Sequence, residues 1–264
     1  GGSGGSGGSG GQCNGGQQEG GKCLPKPPVC GPNEQPGDPP KCIAKCEYKP
    51  PTSNFDPVVK YSWGGQVTPP YATDVMMTPV VVQLDDDDCD GKVTARDIPE
   101  IVFNTFTGGG YYKAGTLHVI SVVDGKVVEK WTKPNAVQAS AGIAAGDLDG
   151  DGVAEIVTCI APAPNGTSCC DAQAQNTGVV AYRADGTLMW EQKDTTKVHC
   201  GYESPAIAAP AGDGKAMVLV GLTLLDGKTG KVLQELDKAT SFGARLTGFA
   251  DVDGDGVQDV VQGH

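Results

Sequence analysis

No run of about 18 apolar residues, the length that crosses a bilayer as a helix, occurs in this chain. An excess of positive charge is missing too. Twenty Lys and Arg face 32 Asp and Glu, a formal net charge of −12. That balance argues against nucleic acid and anionic membrane surfaces, and the lack of an apolar run argues against membrane insertion. Histidine is scarce: His118, His199 and His264 are the only three, and none lies in an H-E-x-x-H or beside a G-x-S-x-G serine. His199 adjoins Cys200, but neighbours in an extended chain point to opposite faces, so no catalytic pair is legible. No long stretch has helical periodicity. Cysteine, in contrast, is plentiful. There are ten, and no two C-x-x-C pairs stand at zinc spacing. Disulfides in an extracellular setting, secreted or anchored at the cell surface, are the expectation.

Composition divides the chain into three. Residues 1–11, GGSGGSGGSGG, have nothing to bury and read as a flexible tether. Residues 12–52 carry Cys13, Cys23, Cys30, Cys42 and Cys46 among Pro, Gly, Lys and Gln, without apolar periodicity, and read as a disulfide-stapled stalk. If all ten cysteines pair, the five here and the five beyond require an odd number of bridges between the regions. Residues 53–264 form the body. The chain starts at Gly, which reads as a processed product or a fragment, and it stops in mid-repeat, which reads as part of a longer protein or as blades completed by another chain.

The body repeats itself. Four segments share small residues, an acidic loop and then a β-branched pair: TPVVVQLDDDDCDGKVTARDIPEIVF, SAGIAAGDLDGDGVAEIVTC, SPAIAAPAGDGKAMVLVG and ARLTGFADVDGDGVQDVVQG. Their marker residues Ile101, Ile156, Val218 and Val260 are spaced 55, 62 and 42 apart, a period of propeller blades or solenoid turns. Between them recur strand pairs around Asp124-Gly125, Asp185-Gly186 and Asp226-Gly227. Asp-Gly suits a two-residue type I′ turn, in which both residues have positive φ. Trp131 and Trp190 end two of these hairpins and read as packing between units, and Leu236 takes a similar place in the third. FDPVVKYSW, residues 55–63, reads as an outer strand. The predicted fold is all-β: a β-propeller of four-stranded blades, complete or partial, behind an irregular stalk.

The acidic loops carry the chemistry. Asp147, Asp149, Asp151 and Glu155 occupy loop positions 1, 3, 5 and 9, and Asp251, Asp253, Asp255 and Asp259 repeat that spacing. Glycine at position 6 permits the sharp turn, and the carbonyl at position 7, Val153 or Val257, adds a ligand. Six or seven hard oxygens suit Ca²⁺. In the first repeat Asp86, Asp88, Asp90 and Gly91 fit the pattern, Lys92 offers its carbonyl, and either Asp97 or Glu100 closes the loop. Two calcium ions are therefore expected, with a third in the first loop. The third repeat keeps only Asp213 and Gly214 and is expected to be metal-free.

These loops resemble the FG-GAP or VCBS repeats of integrin-α-type β-propellers, over about residues 75–264, and look closer to secreted bacterial variants than to integrins. A clean FG…GAP signature is lacking. The resemblance implies calcium held between strands at one end of the blades and recognition mainly at the other. It implies adhesion or the binding of a protein or glycan. Two further readings stand beside it: self-association into an extracellular filament through unpaired strand edges, and a calcium-dependent polysaccharide lyase. Asn165-Gly-Thr167 is a glycosylation sequon. In the same insertion, Cys159 is expected to pair with Cys169 or Cys170, leaving the other for Cys200.

Overall fold

The computed structural model describes residues 17–19, 22–24, 30, 33, 58–64, 74–163, 177–201, 204–209, 214–236 and 246–263. The tether, most stalk cysteines, Asp213, the sequon and Cys169–Cys170 lie outside them. The chain divides into two compact units, 1–58 and 59–264. In the first, β1 (Gln17–Glu19) and β2 (Lys22–Leu24) pair antiparallel, Gln18 opposite Cys23. Cys30 is disulfide-bonded.

The second unit is built of antiparallel meanders and contains no helix among the described residues. Its first sheet runs β3 (Val80–Val82), β4 (Glu100–Thr105), β5 (Ala114–Val123), β6 (Lys126–Gln138). The next runs β7 (Ala144–Gly146), β8 (Glu155–Cys159), β9 (Val179–Tyr182), β10 (Leu188–Gln192). A third follows: β11 (Ala206–Ala208), β12 (Met217–Val220), β13 (Thr223–Asp226), β14 (Val232–Glu235). The last two strands, β15 (Leu246–Ala250) and β16 (Asp259–Gly263), pair with each other. Each acidic loop joins the first two strands of its sheet, as expected. The described residues form separate sheets and do not close into a ring.

Side-chain alternation explains how the sheets stack. In β8, Ile156 joins a cluster with Val102, Leu117 and Val119 of the first sheet. Its neighbour Val157 joins the opposite cluster, with Val218, Val220 and Leu225 of the third. In β9, Val180 and Tyr182 face the first cluster, and Val179 and Ala181 the second. Successive residues of a strand point to opposite faces, so the second sheet is packed on both sides. Every residue of β8 and β9 is buried.

Two tryptophans tie neighbouring sheets. Trp131 in β6 donates its Nε1–H to the Ala184 carbonyl, 2.8 Å away, in the β9–β10 turn. Trp190 in β10 does the same to Gly227, at 2.7 Å, in the β13–β14 turn. These turns correct the hairpin expectation. Only Asp124-Gly125 is a two-residue loop with both φ positive, 50° and 75°. The other two are longer, and a single glycine, Gly186 (82°) or Gly230 (67°), carries the left-handed conformation. That glycine lies under the tryptophan ring of the preceding sheet: a Cβ on Gly186 would meet Trp131 at 3.0 Å.

Three further expectations are corrected. The longer turn shifts the third repeat, so the residue four beyond Gly230, as Trp190 is beyond Gly186, is exposed Gln234 and not Leu236. Residues 58–63 form no strand; Val59 is 85% exposed, and only Trp63 packs inward, edge-on to Phe103 and His118 at 4.8 Å. Cys159 pairs with Cys200 directly, Cα atoms 5.3 Å apart, joining the end of β8 to the segment before β11. Cys89 is a free, exposed thiol, so the premise that all ten cysteines pair is not met. With Cys200 oxidised, no thiol stands beside His199.

Candidate metal centre

The three aspartate loops share one backbone design. The position-1 carboxylate accepts the N–H of the position-6 glycine: Gly91 to Asp86 at 2.8 Å, Gly152 to Asp147 at 2.9 Å, Gly256 to Asp251 at 3.0 Å. The position-5 carboxylate accepts the N–H of position 7: Lys92 to Asp90 at 3.0 Å, Val153 to Asp151 at 2.9 Å, Val257 to Asp255 at 2.8 Å. Position 4 is left-handed throughout, with Cys89 (59°) standing where the others have Gly150 and Gly254. At the start of the following strand the closing acid accepts a backbone N–H from the loop's entrance. Leu84 donates to Glu100 and Leu148 to Glu155, both at 2.8 Å, and Val252 to Asp259 at 3.0 Å.

Carboxylate oxygens gather within 4.8 Å of one another in four groups among the described residues. Asp147, Asp149 and Glu155 form one, and Asp251, Asp253 and Asp255 another. Asp151 and Asp259 stand outside these groups, each holding a backbone N–H of its own loop. The first repeat holds two groups. Asp97 joins Asp86 and Asp88, while Glu100 joins Asp85 and Asp87. The two candidate closing acids therefore serve different sets. Asp97 is fixed by the N–H of Thr94 (2.6 Å) and of Asp87 (3.0 Å), and these bonds to its charged form hold its pKa below the usual carboxylate range. Asp90 lies outside both sets.

Asp85 and Asp87 escape a motif search because the Asp-x-Asp-x-Asp-Gly spacing selects only every second acid of the run 85–88. The alternate pair was the available signal.

Burial decides the electrostatics. Glu100 is 1% exposed, and desolvation pushes its pKa up to about 7. Burial likewise raises Glu155, with Asp149 and Asp151 adding repulsion. Basic side chains answer in part. Lys130 lies 2.7 Å from Asp85, 3.5 Å from Asp87 and 3.9 Å from Glu100. Burial opposes its charge, but the bond to Asp85 and the surrounding acids raise its pKa. In the second repeat Arg183 lies 3.2 Å from Asp149 and 3.5 Å from Glu155. Two buried oxygens, Glu100 Oε1 and Asp149 Oδ1, accept no hydrogen bond. Carboxylate oxygens left over inside acidic groups fit a hard cation, which would supply the missing positive charge. In the third repeat, residues 210–213 lie outside the described residues, so the metal-free expectation is untested there.

No protein-family model and no curated protein matches the chain. Among solved structures it is similar to the biofilm matrix protein Bap1 of V. cholerae. The TM-score is 0.58 at 29% identity, over 78% of this chain and 31% of Bap1. Weaker likenesses reach the rhamnogalacturonan lyase YesW (TM-score 0.41, 21% identity, 62% of this chain and 26% of that one). A rhamnogalacturonan lyase of Bacillus licheniformis follows (TM-score 0.25, 18% identity, 74% and 42%). The chain thus spans about a third of the length of Bap1, the one of the three whose fold it shares at a TM-score above 0.5.

Proposed function

We propose that residues 59–264 are calcium-braced blades of a β-propeller in an extracellular adhesion protein, one that binds a glycan or protein partner. The observation that carries this reading is the stacking of four-stranded meanders face to face, each tied to the next by a tryptophan on a turn glycine. Four-stranded sheets repeated about an axis make a propeller. The likeness to a biofilm matrix protein supports an extracellular, secreted or surface-anchored setting, as does the Cys159–Cys200 bridge.

Calcium would be held in the second repeat by Asp147, Asp149, Asp151, the Val153 carbonyl and Glu155. In the fourth repeat the set is Asp251, Asp253, Asp255, the Val257 carbonyl and Asp259. In the first it is Asp86, Asp88, Asp90, the Lys92 carbonyl and Asp97. The ion supplies positive charge where acids crowd. The chain's own part is to pin each loop to the strand that follows, through the closing acid. A formal charge of −12 disfavours anionic polymers, so the partner is a neutral glycan, a protein, or an acidic glycan met through calcium.

The test is binding of the full chain to immobilised extracellular polysaccharides and a glycan array, with and without millimolar calcium. Size measurement and an assay for polysaccharide cleavage run in parallel. Calcium-dependent binding at monomer mass without cleavage supports adhesion. Elution far above monomer mass would favour the filament, and turnover the lyase.

A further inference from the structure

We propose that Asp85, Asp87 and Glu100 form a separate calcium site, outside the Asp86–Gly91 turn, from which the incoming ion displaces the Lys130 ammonium. This rests on the calcium reading of the loops and adds an ion that the Asp-x-Asp-x-Asp-Gly spacing does not assign. In the run 85–88, alternate side chains go to opposite sides: Asp86 and Asp88 meet Asp97, whereas Asp85 and Asp87 meet Glu100.

The second group is more than a cluster of acids. Glu100 is buried to 1% exposure, its Oε2 is taken by the Leu84 N–H, and its Oε1 accepts no hydrogen bond. The cation facing that oxygen, Lys130, stands 3.9 Å away and is drawn instead to Asp85 at 2.7 Å. Three carboxyl groups thus share one ammonium. Asp85 and Glu100 border a cavity of about 380 Å³, lined also by Leu84, Lys130, Trp131 and Asp185, with room for an ion and its waters. Oxygen ligands at this density suit calcium, which accepts irregular coordination and bound water. Lys130 then releases Asp85 and swings toward solvent.

The experiment counts calcium bound per full chain by equilibrium dialysis at millimolar calcium, for wild type, D85N/D87N, D86N/D88N, the four combined, and K130M. D85N/D87N should bind one ion fewer than wild type, and the combined variant one fewer than D86N/D88N. K130M should keep the wild-type count and tighten one site about tenfold, since a like charge leaves its surroundings. An unchanged count in D85N/D87N, the same single ion lost by both pairs, or weaker binding in K130M would overturn the proposal. If D85N/D87N loses its β-sheet circular dichroism, K130M decides, because it retains every carboxylate. Wild type that binds no calcium would sink the loop reading as well; wild type that binds while D85N/D87N loses nothing sinks this inference alone.

Discussion

Trp190 and Gly230 are locked together. The indole of Trp190 lies so close that a Cβ on Gly230 would sit 2.5 Å from its ring, while its Nε1–H holds the Gly227 carbonyl three residues away in the same turn. Gly230 also needs positive φ, 67°, where L side chains are strained.

Gly230→Ala therefore combines backbone strain with a collision, and should cost about 3 kcal/mol or more. Gly150→Ala shares the strain, since φ is 84°, but meets nothing within 4 Å. It should cost about 1 kcal/mol. Urea denaturation in chelator compares the two, and equal losses would contradict a packing role for the Trp190–Gly230 contact.

Asp149→Ala should lower the melting temperature in millimolar calcium by several degrees and change it far less in chelator. Without the ion, Asp149 keeps only its pair with Arg183, a half-exposed partner whose attraction water weakens. Equal losses in both media would argue against ligation.

Acidity should act through two buried groups of opposite sign. Glu100 has a folded pKa of about 7 against 4.5 unfolded, so the native state binds more protons between those values. In chelator its contribution to stability falls as pH rises from about 4.5 to 7, by on the order of 3 kcal/mol at most. Glu100→Gln should remove that slope, and calcium should suppress it. His118 is fully buried between Thr105 Oγ1 (2.9 Å) and Glu129 Oε1 (2.7 Å), and burial depresses its pKa below 6.5. The unfolded chain takes up that proton first, so this contribution is present above about pH 6.5 and is lost as pH falls below it. His118→Gln should flatten the acid side. Denaturation midpoints across pH 5–8 in each variant separate the two.

Cys159 and Cys200 lie 41 residues apart. Chain-entropy reasoning assigns such a bridge roughly 4 kcal/mol. Replacing both with Ala should lower stability by up to that amount, and a peptide map should find the two sulfurs in one cross-linked fragment. A map joining Cys159 to Cys169 or Cys170 would contradict the observed pairing.

Loops and strands were readable because short-range rules govern them. Aspartates at alternate positions before an Asp-Gly bend, then a β-branched pair, fix a turn and a strand, and Glu155-Ile-Val and Asp259-Val-Val fall where that pattern places them, the first pair buried and the second exposed. Partners chosen across space were not readable. Cys200 lies nearer Cys159 than its rank in the chain implies because the turn of the β7–β10 sheet brings the segment after β10 back to the end of β8. The sequence alone puts Leu236 in the tryptophan's place, but that place is set by strand register, and opposite Leu224 stands Gln234. Trp63 illustrates the converse: an apolar ring finds the core even though its segment joins no ladder.

In an up-and-down meander, the first and third connections leave from the same end of the sheet. The acidic loops and the Asp-Gly turns therefore crowd together, as the approach of Lys228 from the β13–β14 turn to the Asp149 carbonyl, 3.5 Å, attests across two sheets. Acids left uncompensated there would make that end of each sheet the negative one. A cation taken up among those acids would weaken that polarity, so the way this body turns in an electric field would depend on the cation concentration.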